Sequence, residues 1–325
     1  MNQKLIAELI PGDAVLSFFI VRKKELKEKK STTETYLSFD LGDRSGRIRG
    51  SLWKDVSEAN NEIQQGDVAK VKGKVITFLD QNHISIEKIR EVTPDDKIDF
   101  EWFLPHTDRD IETMKTELLN LLIKLENPAL KNLVNVFLND QKFMSRFCRA
   151  PGGKLWHHAY IGGLLEHTLS VIVISQFLCQ HYQNLVNTDL LLAAAFLHDI
   201  GKIEEFSTQG FINYSTPGRL LGHIVLGTNM IMEKISQIPE FPSNLGEQIV
   251  HCILSHHGQK ERGSPVVPMT LEALILNYAD ELDSSVAAFQ RIMTKEKEPG
   301  KTWSNYVNLI DRFIYFGENE ELAVS

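Results

Sequence analysis

No stretch of the sequence is apolar for long enough to cross a bilayer. The longest candidate, Leu190 to Leu197, falls far short of the roughly eighteen residues that a spanning helix needs. The opening MNQKLIAELIPGD lacks the sustained apolar core of a signal peptide. No membrane partner is expected, and the expected location is cytoplasmic. Cysteine is scarce: Cys148, Cys179 and Cys252 show no CxxC spacing and sit among apolar neighbours, so they read as buried thiols rather than disulfides or zinc ligands. There is no internal repeat and no low-complexity tract. Positive charge is not in surplus either, since a net charge of −8 over 325 residues argues against a simple, wholly basic nucleic-acid binder. The deficit is uneven. Residues 1 to 98 carry 17 Lys and Arg against 16 Asp and Glu, and the remainder carries 18 against 27. Two parts with different tasks are expected.

What is present in the first ninety residues is period-two alternation. It marks strands at Asp13 to Val21, Thr35 to Leu41, Arg47 to Leu52, Asp67 to Ile76 and His83 to Ile89, separated by turns such as Gly42-Asp43-Arg44-Ser45-Gly46. Lys54 to Ile63 reads as a short helix between the third and fourth strands, and Lys23 to Lys30 as a solvated loop between the first two. Three strands, a helix and two strands is the layout of an OB-like five-stranded β-barrel, here residues 1–92, whose open face commonly holds single-stranded nucleic acid. Ile48 and Leu52 would face inward, leaving Arg47, Arg49 and Trp53 outside, and Lys70, Lys72 and Lys74 alternate in the same way with apolar residues. Cations that track phosphates beside aromatics that stack bases, Trp53 and Tyr36, make a sequence-tolerant strand platform. The alternatives are a solvated charged face for the lysines and local packing for Trp53.

Residues 93–110, acidic and with two prolines, read as an interdomain linker. From Ile111 to the end, residues 111–325, helical periodicity dominates: Ile111 to Glu126, Pro128 to Leu138, Tyr160 to His181, Thr188 to His198, Arg219 to Ile235, Leu245 to Ser255, Met269 to Phe289 and Trp303 to Tyr315. The fold class is therefore multidomain, a barrel followed by an all-α bundle.

Histidine and aspartate interrupt these apolar helices at chosen places: His167 in IGGLLEHTLSVIVI, His198 and Asp199 in LLLAAAFLHD, His223 in RLLGHIVLG, His256 and His257 after IVHCILS, and Asp280 in LEALILNYADEL. A single buried histidine is usually a satisfied core residue, but carboxylates buried without compensation are expensive, and divalent metal supplies that compensation. One ion can take His167, His198, Asp199 and Asp280. A second can share Asp199 and add His223 and His256. Such ligands suit Mn, Fe, Zn, Ni or Co without selecting among them, and two ions can stabilise both the attacking and the leaving oxygen of a phosphoester.

Read together, HHAYIGGLLEHTLSV, FLHDIGK, GRLLGHIVLG, SHHG and NYADELDSSV resemble the HD phosphohydrolase superfamily. Behind a barrel-like amino-terminal domain they are similar, more narrowly, to the YhaM-type bacterial 3′ to 5′ exoribonucleases, over nearly the whole chain. The resemblance implies a metal-dependent nuclease that removes nucleotides from the 3′ end of single-stranded RNA, with single-stranded DNA as a further candidate substrate. It makes Lys202 a candidate catalytic residue beside Asp199, at the scissile phosphate or leaving group, and it places His157 and His158 near substrate phosphate. Arg219 could clamp phosphate with its fork. His257, about 100° round the helix from His256, reads as supporting a ligand or facing substrate, and Asp283 as orienting a ligand or a water. The alternatives are a helix-end surface lysine, an interhelical histidine pair and a solvated arginine.

The expected mechanism is in-line attack by a water that the two ions activate, with Lys202 neutralising charge on the phosphoryl oxygens. The barrel would hold the upstream strand through Arg47, Arg49, Tyr36 and Trp53. Competing functions are an HD-type phosphodiesterase acting on a cyclic or small nucleotide and a nonenzymatic nucleic-acid-binding protein. The barrel argues against the first and the full ligand set against the second. The sequence does not separate a monomer from a homo-oligomer.

Overall fold

The computed structural model describes residues 4–28, 34–79, 81–208, 210–298 and 300–317. Two compact units emerge, Met1–His106 with Ser207–Asn213, and Thr107–Phe206 with Tyr214–Ser325. Among the described residues no helix is long and apolar enough to cross a membrane.

The first unit is a closed five-stranded barrel. Its strands are β1 (Ala14–Glu28), β2 (Thr35–Asp43), β3 (Gly46–Leu52), β4 (Val68–Phe78) and β5 (Gln81–Glu91), with α1 (Val56–Glu62) between β3 and β4. They close in the order β1-β2-β3-β5-β4, and β3 and β5 form the parallel seam. The alternation works as expected: Phe39, Leu41, Ile48, Leu52, Val71 and Val75 are buried inside, while Arg47, Arg49, Lys72 and Lys74 are exposed outside. Closure leaves no open sheet edge to protect.

Two expectations about this half change. Lys23 to Glu28 is not a loop. β1 continues to Glu28 and pairs Lys23 with Asp40 through to Glu28 with Thr35. Its mixed charges are what make an extended strand tolerable there, since Glu25 sits between Lys23 (2.5 Å) and Lys27 (3.0 Å), and Lys24 donates to the carbonyls of Asn60 and Ile63. Residues 29 and 30 of that run lie outside the described residues. Residues 93–110 are likewise not a free linker. Pro94–Asp96 and Phe100–Phe103 form 3-10 turns, and Phe103 is buried in a cluster with Ile20 and Val68 that Phe211 also joins. The boundary falls at His106 and Thr107.

The second unit is helical: α2 (Ile111–Leu122), α3 (Pro128–Leu138), α4 (Gln141–Arg149), α5 (Gly163–His181), α6 (Thr188–Leu197), α7 (Lys202–Glu205), α8 (Thr216–Ser236), α9 (Ser243–Ser255) and α10 (Leu271–Glu296). Asp110, Asn127, Asp140, Asn187, Ser215 and Thr270 each cap a helix by accepting a backbone N–H in its first turn. Every residue from Leu190 to Leu197 is buried, so α6 is the central rod of the bundle. Phe196 meets Phe137 and Phe147 edge-on, which locks the rod against α3 and α4. The short helix α4 escaped the sequence reading, although its Asp140 cap and its Phe143, Met144, Phe147 and Cys148 spacing carry the signal. Trp303 to Tyr315 is not a helix. Antiparallel bridges join Trp303 to Tyr315 and Val307 to Arg312, with Asp311 at φ 52° in the turn, and Ile314 and Phe316 bury against Ile292 of α10. Its three-and-four apolar spacing fits a helix, but the burial of that tail pair against α10 outweighs the local pattern.

Asp96 ties the folded-back segment to the barrel. Arg90 donates to both its oxygens (2.8 and 2.9 Å), Thr93 donates its backbone N–H (2.8 Å), and Lys70 lies at 3.3 Å. The Arg90 guanidinium first, then the Thr93 N–H, hold this carboxyl far below the ordinary range. A depressed carboxyl contributes stability that is complete above its unfolded pKa, about 3.9, and is lost as the pH falls toward the folded value. Asp96→Asn should therefore lower the unfolding temperature at neutral pH, and its gap to wild type should shrink from about pH 5 to about pH 2. A gap that stays constant in calorimetry over that range would show that the charge is not what matters.

Candidate metal centre and nucleic-acid groove

Five histidines and three aspartates from five helices and their ends meet inside the bundle. α5 supplies His167. His198 caps the end of α6 and Asp199 follows it. α8 supplies His223 directly after a break at Gly222 (φ 71°, ψ 160°). His256 caps α9 with His257 next, and α10 supplies Asp280 and Asp283 one turn apart. His167, His198, Asp199 and His256 are fully or almost fully buried.

The imidazoles share one design. Each anchors its Nδ1–H on an acceptor: His198 on Ala195 O (2.8 Å), His256 on Ile253 O (2.7 Å), His257 on Arg262 O (3.1 Å), His223 on Glu205 Oε1 (3.1 Å) and His167 on Asp283 Oδ2 (2.7 Å). A neutral ring that donates from Nδ1 keeps its lone pair on Nε2, the tautomer that a metal ligand needs. The Nε2 atoms face inward. Those of His167 and His198 are 3.1 Å apart, and Asp280 Oδ1 lies 3.2 Å from the first. Two lone pairs at that distance repel unless a proton or a cation lies between them.

Asp199 is the common element. Its Oδ2 lies 3.4 Å from His167 Nε2, 3.3 Å from His198 Nε2 and 2.5 Å from Lys202 Nζ. Its Oδ1 lies 3.5 Å from His223 Nε2 and 3.6 Å from His256 Nε2, and these three buried atoms have no hydrogen-bond partner. Buried polar atoms are rarely left so, and three that converge fit a cation. Ligand atoms of His167, His198 and Asp199 lie within 4.8 Å of one another, as do those of His223, His256 and His257. His257 thus joins the second group rather than pointing away. His256 keeps a helical backbone at φ −64° and ψ −24°, and its ring meets that of His257 edge-on with centres 4.3 Å apart.

The other expected residues divide. Lys202 is buried on Asp199. His157 lies beside His167 with a buried Nδ1 that has no partner, whereas His158 donates to Asp283 (2.8 Å), behind the ligands. Arg219 is exposed over the Tyr214 ring, which Lys154 also approaches. Sequence reasoning missed Glu205, which holds both the backbone N–H and the Nδ1 of His223; a glutamate three residues after Lys202 was the available signal. Gly201 follows the His-Asp doublet closely. A Cβ there would lie 2.0 Å from His223 O and 2.5 Å from Gly227 N, so its role is to let α8 approach.

On the barrel, Arg47 and Arg49 line a groove of about 1050 Å³ with Lys23, Lys27, Phe39 and Asn82. Tyr36 and Trp53 stack on each other with ring centres 4.3 Å apart, and Trp53 is half-exposed. Single strands generally lie on surfaces that combine cations with aromatic faces, and here Tyr36 and Trp53 are outside the lining of the groove that holds the cations.

Burial alone would push the Asp199 carboxyl up, but the Lys202 ammonium, then His198 and His167, hold it well below the carboxylate range. Burial pushes His157 down to about 3, helped by Lys202, and His257 down to about 3, helped by His256 and His223. Both are neutral near pH 7. His167 goes the other way. Burial opposes its charge, yet Asp199, Asp280 and Asp283 raise it well above the ordinary value, so without a cation it keeps a proton. A metal bound through its Nε2 would have to displace that proton. Metal affinity should therefore fall as the pH falls, with about one proton released per ion at the His167 side. Titration calorimetry in buffers of different ionisation enthalpy counts those protons, and uptake without release would remove His167 from the ligands.

Residues 164–285 match the HD domain family and residues 20–92 the OB-fold nucleic acid binding domain family. The chain is 30% identical over 318 residues to the 3′-5′ exoribonuclease YhaM of Listeria monocytogenes, covering 96% of this chain and 98% of the relative. The relatives of the same name from Oceanobacillus iheyensis and a Geobacillus species are 30% and 31% identical, covering 93% and 91% of this chain and 95% and 90% of theirs.

Proposed function

The chain belongs to the 3′-5′ exoribonuclease YhaM family, and on that premise we propose that it hydrolyses the terminal phosphodiester of single-stranded RNA from the 3′ end at a centre for two divalent ions. The observation that carries this reading is the shared Asp199 carboxylate, with unpartnered Nε2 atoms converging on one oxygen and a lysine on the other. His167, His198, Asp199 and Asp280 would hold one ion. His223, His256 and His257, with Asp199 between the two, would hold the second. Bound there, such ions supply Lewis acidity and lower the pKa of a water, which serves any of Mn, Fe, Zn, Ni or Co.

The chain's own residues do the rest. Lys202 keeps its ammonium charged because Asp199, then Asp280, outweigh its burial, and it offsets charge on the phosphoryl oxygens. His157, neutral near pH 7, would donate a ring N–H to a phosphate oxygen. No side chain need act as a covalent nucleophile. Arg47 and Arg49 carry the upstream strand in the barrel groove, Trp53 offers a stacking face, and holding the strand raises the effective concentration of its 3′ end. Single-stranded DNA offers the same phosphates and is a further substrate under this reading. A homo-oligomer is compatible with it.

RNA labelled at its 5′ end and incubated with Mn²⁺-loaded protein should shorten progressively to a ladder, because loss begins at the 3′ end. Asp199→Ala should abolish the ladder and reduce bound metal, whereas full activity with normal metal content would sink the shared-ligand role. Replacing Arg47 and Arg49 together by Ala should weaken binding of a long strand about ten-fold or more, and flatten its salt dependence by roughly two contacts, while hydrolysis of a dinucleotide changes little. Equal loss on both substrates would contradict a separate platform.

A further inference from the structure

Behind His167 runs a closed circuit of hydrogen bonds whose outer members contact no ligand position. Asp283 Oδ2 accepts from His167 Nδ1 (2.7 Å) and from His158 Nε2 (2.8 Å). His158 Nδ1 lies 2.9 Å from the Tyr160 hydroxyl, which donates to Glu166 Oε2 (3.0 Å). Glu166 also accepts from Thr107 Oγ1 (2.6 Å). Because Glu166 directly precedes His167 on α5, the circuit leaves that helix, crosses the His158 loop, reaches α10 and returns to α5 at the next residue.

This arrangement is costly to keep for packing alone. His158 holds a left-handed backbone at φ 47°, which a residue with a side chain seldom adopts without a reason. Its backbone is clamped: Gly152 N donates to His158 O (2.9 Å), and a Cβ on Gly163 would sit 2.1 Å from that oxygen. A carboxylate turns freely about its last torsion, so one bond to His167 would not fix Asp283. The second donor, His158, does, and Tyr160 with Glu166 fix His158.

We propose that Tyr160 and Glu166 are positioning residues for the metal centre: through His158 they hold Asp283, and Asp283 holds His167 in the tautomer and angle that aim its Nε2 at the ion. The inference rests on the metal reading of the proposed function and adds to it residues that touch neither ion nor substrate. Carboxylates behind metal-bound imidazoles generally set ligand direction, and losing one weakens metal binding ten-fold or more.

The test is Mn²⁺ titration calorimetry on metal-free full-length wild type, Tyr160→Phe and Glu166→Gln, together with thermal unfolding with and without Mn²⁺. Tyr160→Phe removes both contacts of the hydroxyl and Glu166→Gln removes the carboxylate charge, each at nearly constant shape. Mn²⁺ affinity should fall by about ten-fold in each, and the double variant should lose little more than the worse single one, because both act through one chain of contacts. Excess Mn²⁺ should restore most of the hydrolysis rate. Variants whose metal-free unfolding temperature drops while Mn²⁺ affinity stays at the wild-type value would overturn the inference, leaving the circuit as loop packing. If one variant does not fold, the other decides the question by the same readout. Wild-type protein that takes up no Mn²⁺ would overturn the metal reading and the inference together, a result distinct from variant-only failure.

Discussion

A carboxylate with almost no exposure, Asp199, sits at the junction of the buried helices, and the arrangement around it answers the need to keep it charged there. Leaving such a group unpaired costs several kcal/mol, a large part of the roughly 5–15 kcal/mol that holds a domain folded. One oxygen is offset by Lys202 at 2.5 Å. The other faces His223 and His256 without a hydrogen bond, an arrangement that a cation between them would compensate.

The imidazoles can serve that atom because something outside the centre holds each Nδ1. Two use the carbonyl three residues back in their own helix, a device that needs only a histidine at a helix end. The others borrow Glu205, Asp283 and Arg262 O from elsewhere in the chain. Neutral rings and acidic neighbours then divide the labour. His157 and His257 are neutral near pH 7, while His167, facing three carboxylates, holds its proton well above the ordinary range.

Much of this was legible in the sequence, for a physical reason. Polar side chains inside the apolar runs around His167, Asp199 and Asp280 must be compensated, so their order announces a centre without a structure. The barrel was legible because inside and outside alternate along each strand. What could not be read was anything fixed by a distant partner. Glu205 looks like a surface residue until His223 lies against it. Trp303 to Tyr315 has helix spacing, but Ile314 and Phe316 find Ile292 instead. Residues 93–110 have a linker's composition, and it takes the cluster of Phe103 with Ile20 and Val68 and the Arg90 and Lys70 contacts to Asp96 to hold part of them down.

The close crossing at Gly201 sets the scale of the centre. With Gly227 N and His223 O both too near for a side chain, the backbone after the His-Asp doublet and the backbone of α8 touch directly. The spacing between the half that holds His198 and the half that holds His223 is therefore gauged by main-chain atoms in van der Waals contact, which hardly compress. Under the proposed metal reading, ions of different radius would have to be accommodated by the tilt of imidazole rings on their Nδ1 tethers, with the helices acting as a fixed ruler. Exchange of one divalent metal for another would then alter bond lengths and rates while leaving the bundle's dimensions unchanged.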